Sequence, residues 1–321
     1  MRRPPLSAWL TMLAAAGLIL TAPAQARQTE PSAPGSAAAP APTPAPVPPR
    51  VDAVFAADGV TITDGGRPVL FYRTKPADPA REPGRLNYIH PIWAPDGTVL
   101  TEDRPTDHPD QRGAFWSWPL VTVDGKPVAD GWAMKGLTFH VREKRFKGDK
   151  AGGGSLVVNS DWIVNAGPEL AFVARETTRV KVFALKDGAR RIDVETVITA
   201  RADSLTLAGS DDARGYGGFS IRLARPDKLS FGSEGKAVVP AVGAVAAGPA
   251  MGMVWAREPG LPAWTVGLAC KANGQPIRQW LLRRDLSMQN CVFPGRAPVT
   301  LKAGETLRLQ STLILRPGQA R

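Results

Sequence analysis

All three histidines of this 321-residue chain fall within one stretch, Asn87–His140, together with four of its nine tryptophans. His90 and His108 each precede a proline, which keeps the residue before it extended and presents its side chain rigidly. Imidazole titrates near neutral pH, so either ring suits general acid or base work. Asp107 adjoins His108 and is the carboxylate best placed to work with it. Glu102, Asp103 and Asp110 lie in the same polar run, Thr101–Arg112, and a glycosidase-like acid/base pair would draw on two such groups. The catalytic candidates are therefore His108, His90 and Asp107.

Substrate-binding candidates surround them. Arg112 and Arg222 offer planar guanidinium forks for a carboxylate or a hydroxyl-rich ligand, and Gln111 adjoins Arg112. Tyr88 and Trp116 could stack on the apolar face of a sugar, although at least one of Trp116 and Trp118 is expected in the core. Glu176 sits mid-strand, where a charge faces solvent or lines a central cavity. His140 completes the set, within a strand-like run where its ring could simply face a neighbour. Two other readings apply to the same residues. His90, His108, Asp107 or Glu102, and His140 could gather round a divalent metal, the less favoured reading. Alternatively the imidazoles are hydrogen-bonded groups that hold a long loop in place.

The elements that must carry these residues read as strands. Val60–Thr63 and Pro68–Tyr72 flank Asp64-Gly65-Gly66, a hairpin pattern, and Leu120–Val123 with Lys126–Val128 flank Asp124-Gly125 in the same way. Further strands are expected at Phe139–Phe146, Ser155–Val164, Leu170–Leu185 and Arg191–Ala200, the last with Ile192, Val194, Thr196 and Ile198 on one face. Others fall at Ala237–Val245, Ala250–Trp255 and Trp264–Cys270, and Val299–Leu315 reads as a hairpin-like pair. Gly215–Leu223 is a glycine-rich entry into a strand; no helix follows it, so a bulge or a close backbone approach is expected there and not a nucleotide site. No period repeats. The expected fold class is all-β, a large antiparallel β-sandwich spanning 51–321 as one domain.

The first fifty residues read differently. Arg2-Arg3, the apolar run Trp9–Leu20 and Ala24-Gln25-Ala26 compose a signal peptide over 1–26, which implies export to a periplasmic or extracellular space. Residues 27–50 are an Ala/Pro-rich linker. No later segment is long and apolar enough for a membrane span, so none is expected in the mature chain. The net charge of +11 would fall to +9 on loss of Arg2 and Arg3. The basic residues form no run and no aromatic–basic motif, which argues against nucleic acid as a partner. In an exported protein Cys270 and Cys291 are expected to form a disulfide, the alternative being two buried thiols.

Several segments together resemble the PmoA-like family of exported bacterial β-proteins. They are Tyr88-x-His90-Pro91, Pro95-Asp96-Gly97, Asp107-His108-Pro109-x-Gln111-Arg112-Gly113, Phe115-Trp116-x-Trp118, Gly217-Gly218-Phe219-x-Ile221-Arg222 and Leu301–Leu307. The resemblance implies a fold similar to the galactose-mutarotase-like supersandwich and, by association, a small-molecule or carbohydrate ligand. Members commonly carry histidine where this chain has Asp110. Three functions follow as expectations. The first is an exported enzyme acting on a sugar or glycoside, the second a noncatalytic carbohydrate- or cell-wall-binding module, and the third a metal-dependent oxidoreductase as the family name suggests.

Overall fold

The computed structural model describes residues 50–80, 85–166, 169–256 and 263–318, and none of them is helical. The signal peptide and nearly all of the linker lie outside the described residues. In chain order the strands are β1 (Val51–Phe55), β2 (Gly59–Asp64), β3 (Arg67–Arg73), β4 (Tyr88–Ile92), β5 (Ala114–Ser117), β6 (Leu120–Val123), β7 (Lys126–Ala129), β8 (Leu137–Gly148), β9 (Gly154–Ala166), β10 (Glu169–Val182), β11 (Arg190–Ala200) and β12 (Ser204–Ala208). They continue with β13 (Gly218–Arg222), β14 (Lys228–Ser233), β15 (Lys236–Ala237), β16 (Val245–Ala246), β17 (Ala250–Ala256), β18 (Trp264–Ala272), β19 (Gln275–Pro276), β20 (Gln279–Leu282), β21 (Met288–Val292), β22 (Val299–Lys302) and β23 (Thr306–Pro317).

These strands build a large antiparallel β-sandwich, the expected class. One sheet has nine strands in the order β1-β2-β3-β4-β5-β13-β21-β20-β16, and the other has ten in the order β15-β14-β17-β18-β23-β11-β10-β9-β8. A four-stranded sheet, β22-β12-β6-β7, accompanies them. Period-two alternation explains the core. Ile192, Val194, Thr196 and Ile198 of β11 face inward beside their ladder partners Leu313, Ser311, Leu309 and Leu307 of β23. The nine-stranded sheet contributes Ile62, Leu70, Tyr72, Ile89 and Phe219 to the same cluster. Burying each large apolar side chain stabilises the fold by about 1.5–3 kcal/mol. A disulfide joins Cys270 of β18 to Cys291 of β21 and so ties one large sheet to the other.

Two expectations are corrected by the pairing. The tail is not a hairpin: β22 pairs with β12 in the small sheet, while β23 lies between β18 and β11 in the ten-stranded one. Ala237–Val245 is not a strand, because only its two ends join ladders and 238–244 is a loop. At the glycine-rich entry the close approach is real. A Cβ on Gly218, at φ +97°, would stand 2.5 Å from the Cys291 carbonyl oxygen.

Candidate functional site

Cross-strand partners share a face and successive residues alternate. Ile89, Ala114 and Phe219 face the core, so Tyr88, Phe115, Ser220 and Arg222 occupy the opposite, outer face of the nine-stranded sheet. Met288 lies there too, as the direct partner of Arg222. Tyr88, Phe115 and Met288 form a small buried cluster of their own, with Trp132 packed against it. The run Thr101–Arg112 covers the polar part of this face. It is tied down by main-chain bonds from Glu102 N to Arg222 O and from Arg222 N to Gly113 O. Gly113 has no room for a side chain, since a Cβ would fall 2.1 Å from the Ile89 carbonyl oxygen.

Arg222 is the centre of the arrangement. It is 1% exposed, and its Nε donates to Glu102 Oε2 at 3.1 Å, Nη1 to Gln111 Oε1 at 2.7 Å, and Nη2 to Asp107 Oδ1 and Oδ2 at 3.1 and 3.2 Å. One buried guanidinium therefore clamps three points of the loop. Arg112 is equally buried; its Nη1 donates to Asp103 Oδ1 at 3.2 Å and its guanidinium lies 5.5 Å from the centre of the Tyr88 ring. Tyr88 donates its hydroxyl to the other Asp103 oxygen at 3.1 Å. Burial, followed by the Asp103 charge, pushes the Tyr88 phenol well above its ordinary value. Arg112, Arg222, Gln111 and Tyr88, the residues expected to contact substrate, thus bond to the loop itself. Their polar groups are engaged in holding the loop, and Tyr88 is too buried to serve as a stacking platform.

His90 occupies an irregularity in the sheet. Leu70 pairs with Ile92 and Tyr72 with Ile89, so two residues of β4, His90 and Pro91, lie opposite Phe71 alone. The His90–Pro91 peptide is cis. His90 Nδ1 lies 3.0 Å from Thr101 Oγ1, which also accepts the Ile92 N–H at 3.0 Å. Burial lowers the imidazole pKa below 6.5; Arg73 and Arg112 push the same way, against Asp103 and Glu102.

His108 stands further out on the loop. Its Nδ1 is 3.2 Å from Asp107 Oδ2, with the ring side chain 44% and the carboxylate 29% exposed. Burial pushes the Asp107 carboxyl up, but hydrogen bonds from His108 and Arg222 outweigh it and hold the group below the ordinary carboxylate range. The result is an imidazole with one nitrogen fixed by an ionised carboxylate and its remaining edge toward solvent.

Packed on the Tyr88–Phe115–Met288 cluster of the same sheet face is an aromatic shelf that sequence reasoning missed. Trp132 and Tyr216 meet edge-to-face with ring centres 4.8 Å apart, and Trp132 also packs at 5.3 Å against Phe115. Both outer rings are half-buried. Arg85 donates to the Trp132 carbonyl and lies over Phe115, and Arg214 lies over Tyr216 at 5.5 Å. Burial, followed by the Asp130 charge, raises the Tyr216 phenol pKa, with Asp110 the last contributor. The signal available in the sequence was Trp132 inside the histidine-bearing stretch and Tyr216 between two glycines.

The remaining candidates are elsewhere. Trp116 and Trp118 are two apart and share a face, so both turn inward, stacked at 6.3 Å. Trp116 lines an interior cavity of about 30 Å³ with Glu176, Trp162, Thr178 and Tyr72. That volume holds a water or two, each needing at least about 10–15 Å³, and not a sugar ring. Glu176 is buried, accepting from Trp162 Nε1 and Thr178 Oγ1 at 2.9 Å each, and burial raises its pKa. His140 is exposed on β8, the edge of the ten-stranded sheet. It cannot join His90 and His108 on the other sheet's outer face, so the four-residue metal set is not assembled. Among the described residues no three His, Cys, Asp or Glu side chains form a group able to hold a metal ion.

A family model described as "Family of unknown function (DUF6807)" matches residues 59–321. The chain belongs to that family. This corrects the PmoA-like assignment: the model that matches this DUF6807 chain is not a PmoA one, and the oxidoreductase reading taken from that name goes with it. No curated protein matches the chain. Among solved structures, the chain is similar to a GalM/aldose epimerase homologue from C. elegans, at 8% identity and a TM-score of 0.30, covering 85% of this chain and all of that one. A likeness of that size carries no argument about this DUF6807 protein. No helix among the described residues is long and apolar enough to cross a membrane.

Proposed function

We propose that this is an exported carbohydrate-acting protein in which His108 and Asp107 move a proton on a sugar seated against Trp132 and Tyr216. The observation that carries the reading is the 3.2 Å pair on an exposed loop, with its carboxylate gripped from beneath by a buried arginine. In this arrangement Asp107 accepts the Nδ1 proton of His108, which leaves Nε2 as the basic nitrogen facing the ligand. Arg222 keeps Asp107 ionised and in place. Aromatic rings beside a few fixed polar groups are a usual composition for a sugar subsite. Export rests on the charged, apolar and small-residue succession of residues 1–26.

The test is a panel of mono- and oligosaccharides, followed by both binding and turnover. His108→Ala is expected to lower kcat by roughly 10²–10⁴-fold. Trp132→Ala is expected to weaken sugar binding by about tenfold, one aromatic contact's worth. Sugar binding indifferent to Trp132→Ala would overturn the reading. A second reading, a noncatalytic binding module, is favoured by the engagement of Arg112, Arg222, Gln111 and Tyr88 in internal bonds. Tight sugar binding with no turnover in wild type would select it.

A further inference from the structure

Resting on that carbohydrate reading, we infer that the sugar carries a carboxylate, and that Arg283 receives it at the margin of the aromatic shelf. The Arg283 guanidinium is held by backbone carbonyls. Its Nη1 donates to the Ala241 and Leu282 carbonyls at 2.7 and 3.0 Å, and its Nη2 to the Val242 carbonyl at 2.7 Å. Its own main chain is pinned by the fully buried Gln289, which accepts from Arg283 N at 3.0 Å and donates to Arg283 O at 2.8 Å. Among the described residues no carboxylate lies within ion-pair distance of it. A guanidinium has five donors. Three are used here, leaving Nε–H and one Nη2 hydrogen. Nε and Nη2 form the edge with which Arg214 grips Asp212 and Arg191 grips Asp193 in this same molecule. Arg283 thus presents a fixed carboxylate-binding fork with its positive charge uncompensated.

Its location ties it to the shelf. The 241–243 loop that it holds abuts the loop carrying Arg214, since a Cβ on Gly243 would stand 2.9 Å from the Ala213 carbonyl oxygen. Arg214 lies over Tyr216, the outer ring of the shelf. Burial, and then the charge of Arg214, lower the Arg283 pKa, as expected of two neighbouring cations. The acids nearby are occupied or outlying. Asp212 is taken by Arg214, Asp211 pairs with Arg296 at 3.6 Å, and Asp130 accepts from Ala133 N. Asp110 is exposed at the loop tip. The net charge, +11 for the whole chain and +9 without Arg2 and Arg3, favours the approach of an anionic ligand.

The experiment compares a galacturonate trisaccharide with its neutral galactose counterpart by titration calorimetry, using the mature protein. The acidic sugar is expected to bind roughly tenfold tighter at low salt, with the preference shrinking as ionic strength rises. Arg283→Gln brings the acidic sugar down to the affinity of the neutral one. Should that variant not fold, Arg283→Lys, a charge without the fork, serves in its place and reduces the preference. Equal binding of both sugars in wild type, or a preference that survives the Arg283 variant, overturns the inference and leaves the carbohydrate reading standing. If neither sugar binds, nor any other in the saccharide panel, the carbohydrate reading falls and this inference falls with it.

Discussion

Arg222 and Asp107 are 115 residues apart in the chain, yet Nη2 of one lies 3.1 and 3.2 Å from the two carboxylate oxygens of the other. This contact converts an exposed, proline-rich loop into a fixed support for His108. Replacing Arg222 by Met would leave Glu102 and Asp107 without their common cation. Removing one partner of a buried ion pair costs about 3–5 kcal/mol. Both carboxylates are about a third exposed, so a loss nearer 2 kcal/mol is expected after solvent screening. Denaturant unfolding checks the magnitude, and limited proteolysis between Thr101 and Arg112 should quicken at the same time.

His90 makes a pH prediction with a definite sign. Its folded-state pKa is depressed, burial being the first cause, so the unfolded chain binds the proton more readily. The stability it contributes is fully present above pH 6.5 and is lost as pH falls through the folded value. An imidazole NMR titration should find His90 less than half protonated at pH 6.5. A half-protonated ring at that pH would contradict the burial argument.

Glu176 has the opposite sign. Burial raises its carboxyl pKa, so its contribution is complete below the ordinary carboxylate range and is lost as pH rises through the folded value. Glu176→Gln keeps the shape without the ionisation and is expected to raise Tm at pH 8 relative to wild type, but not at pH 4. Glu176→Leu strands Trp162 Nε1 and should cost about 1–3 kcal/mol at either pH.

Gly218→Ala tests the backbone approach between β13 and β21. The new methyl would meet the Cys291 carbonyl oxygen at 2.5 Å, from a φ of +97°. A loss of at least about 1 kcal/mol is expected by thermal melting, from the unfavourable backbone conformation before the clash is counted.

What was legible in the sequence was local. The alternation of Ile192, Val194, Thr196 and Ile198 and the Asp-Gly turn signals mark strands and hairpins because those rules act over a few residues. The pair of Asp107 and His108 on one loop was likewise visible, as chain neighbours. What was hidden depends on which strands meet. Sequence spacing does not say that β22 and β23 enter different sheets, nor that Arg222 spends its fork on Glu102, Gln111 and Asp107. The shelf was hidden for the same reason: Trp132 and Tyr216 become neighbours only once the loops of one sheet face converge. For Glu176 and His140 the sequence left the face open, because a strand residue has two faces and a charge on its own does not say which of them is covered; Glu176 lines the interior cavity and His140 is exposed.

The Cys270–Cys291 bond has a consequence for assembly. Side chains on a strand alternate faces, so a slip of β21 by one residue would turn Cys291 outward, away from Cys270. The same slip would break the pairing of Met288 with Arg222 and turn Met288 toward the core. Oxidation can therefore close only when β21 is in register, and the bond acts as a proofreading latch on the strand that floors the candidate site.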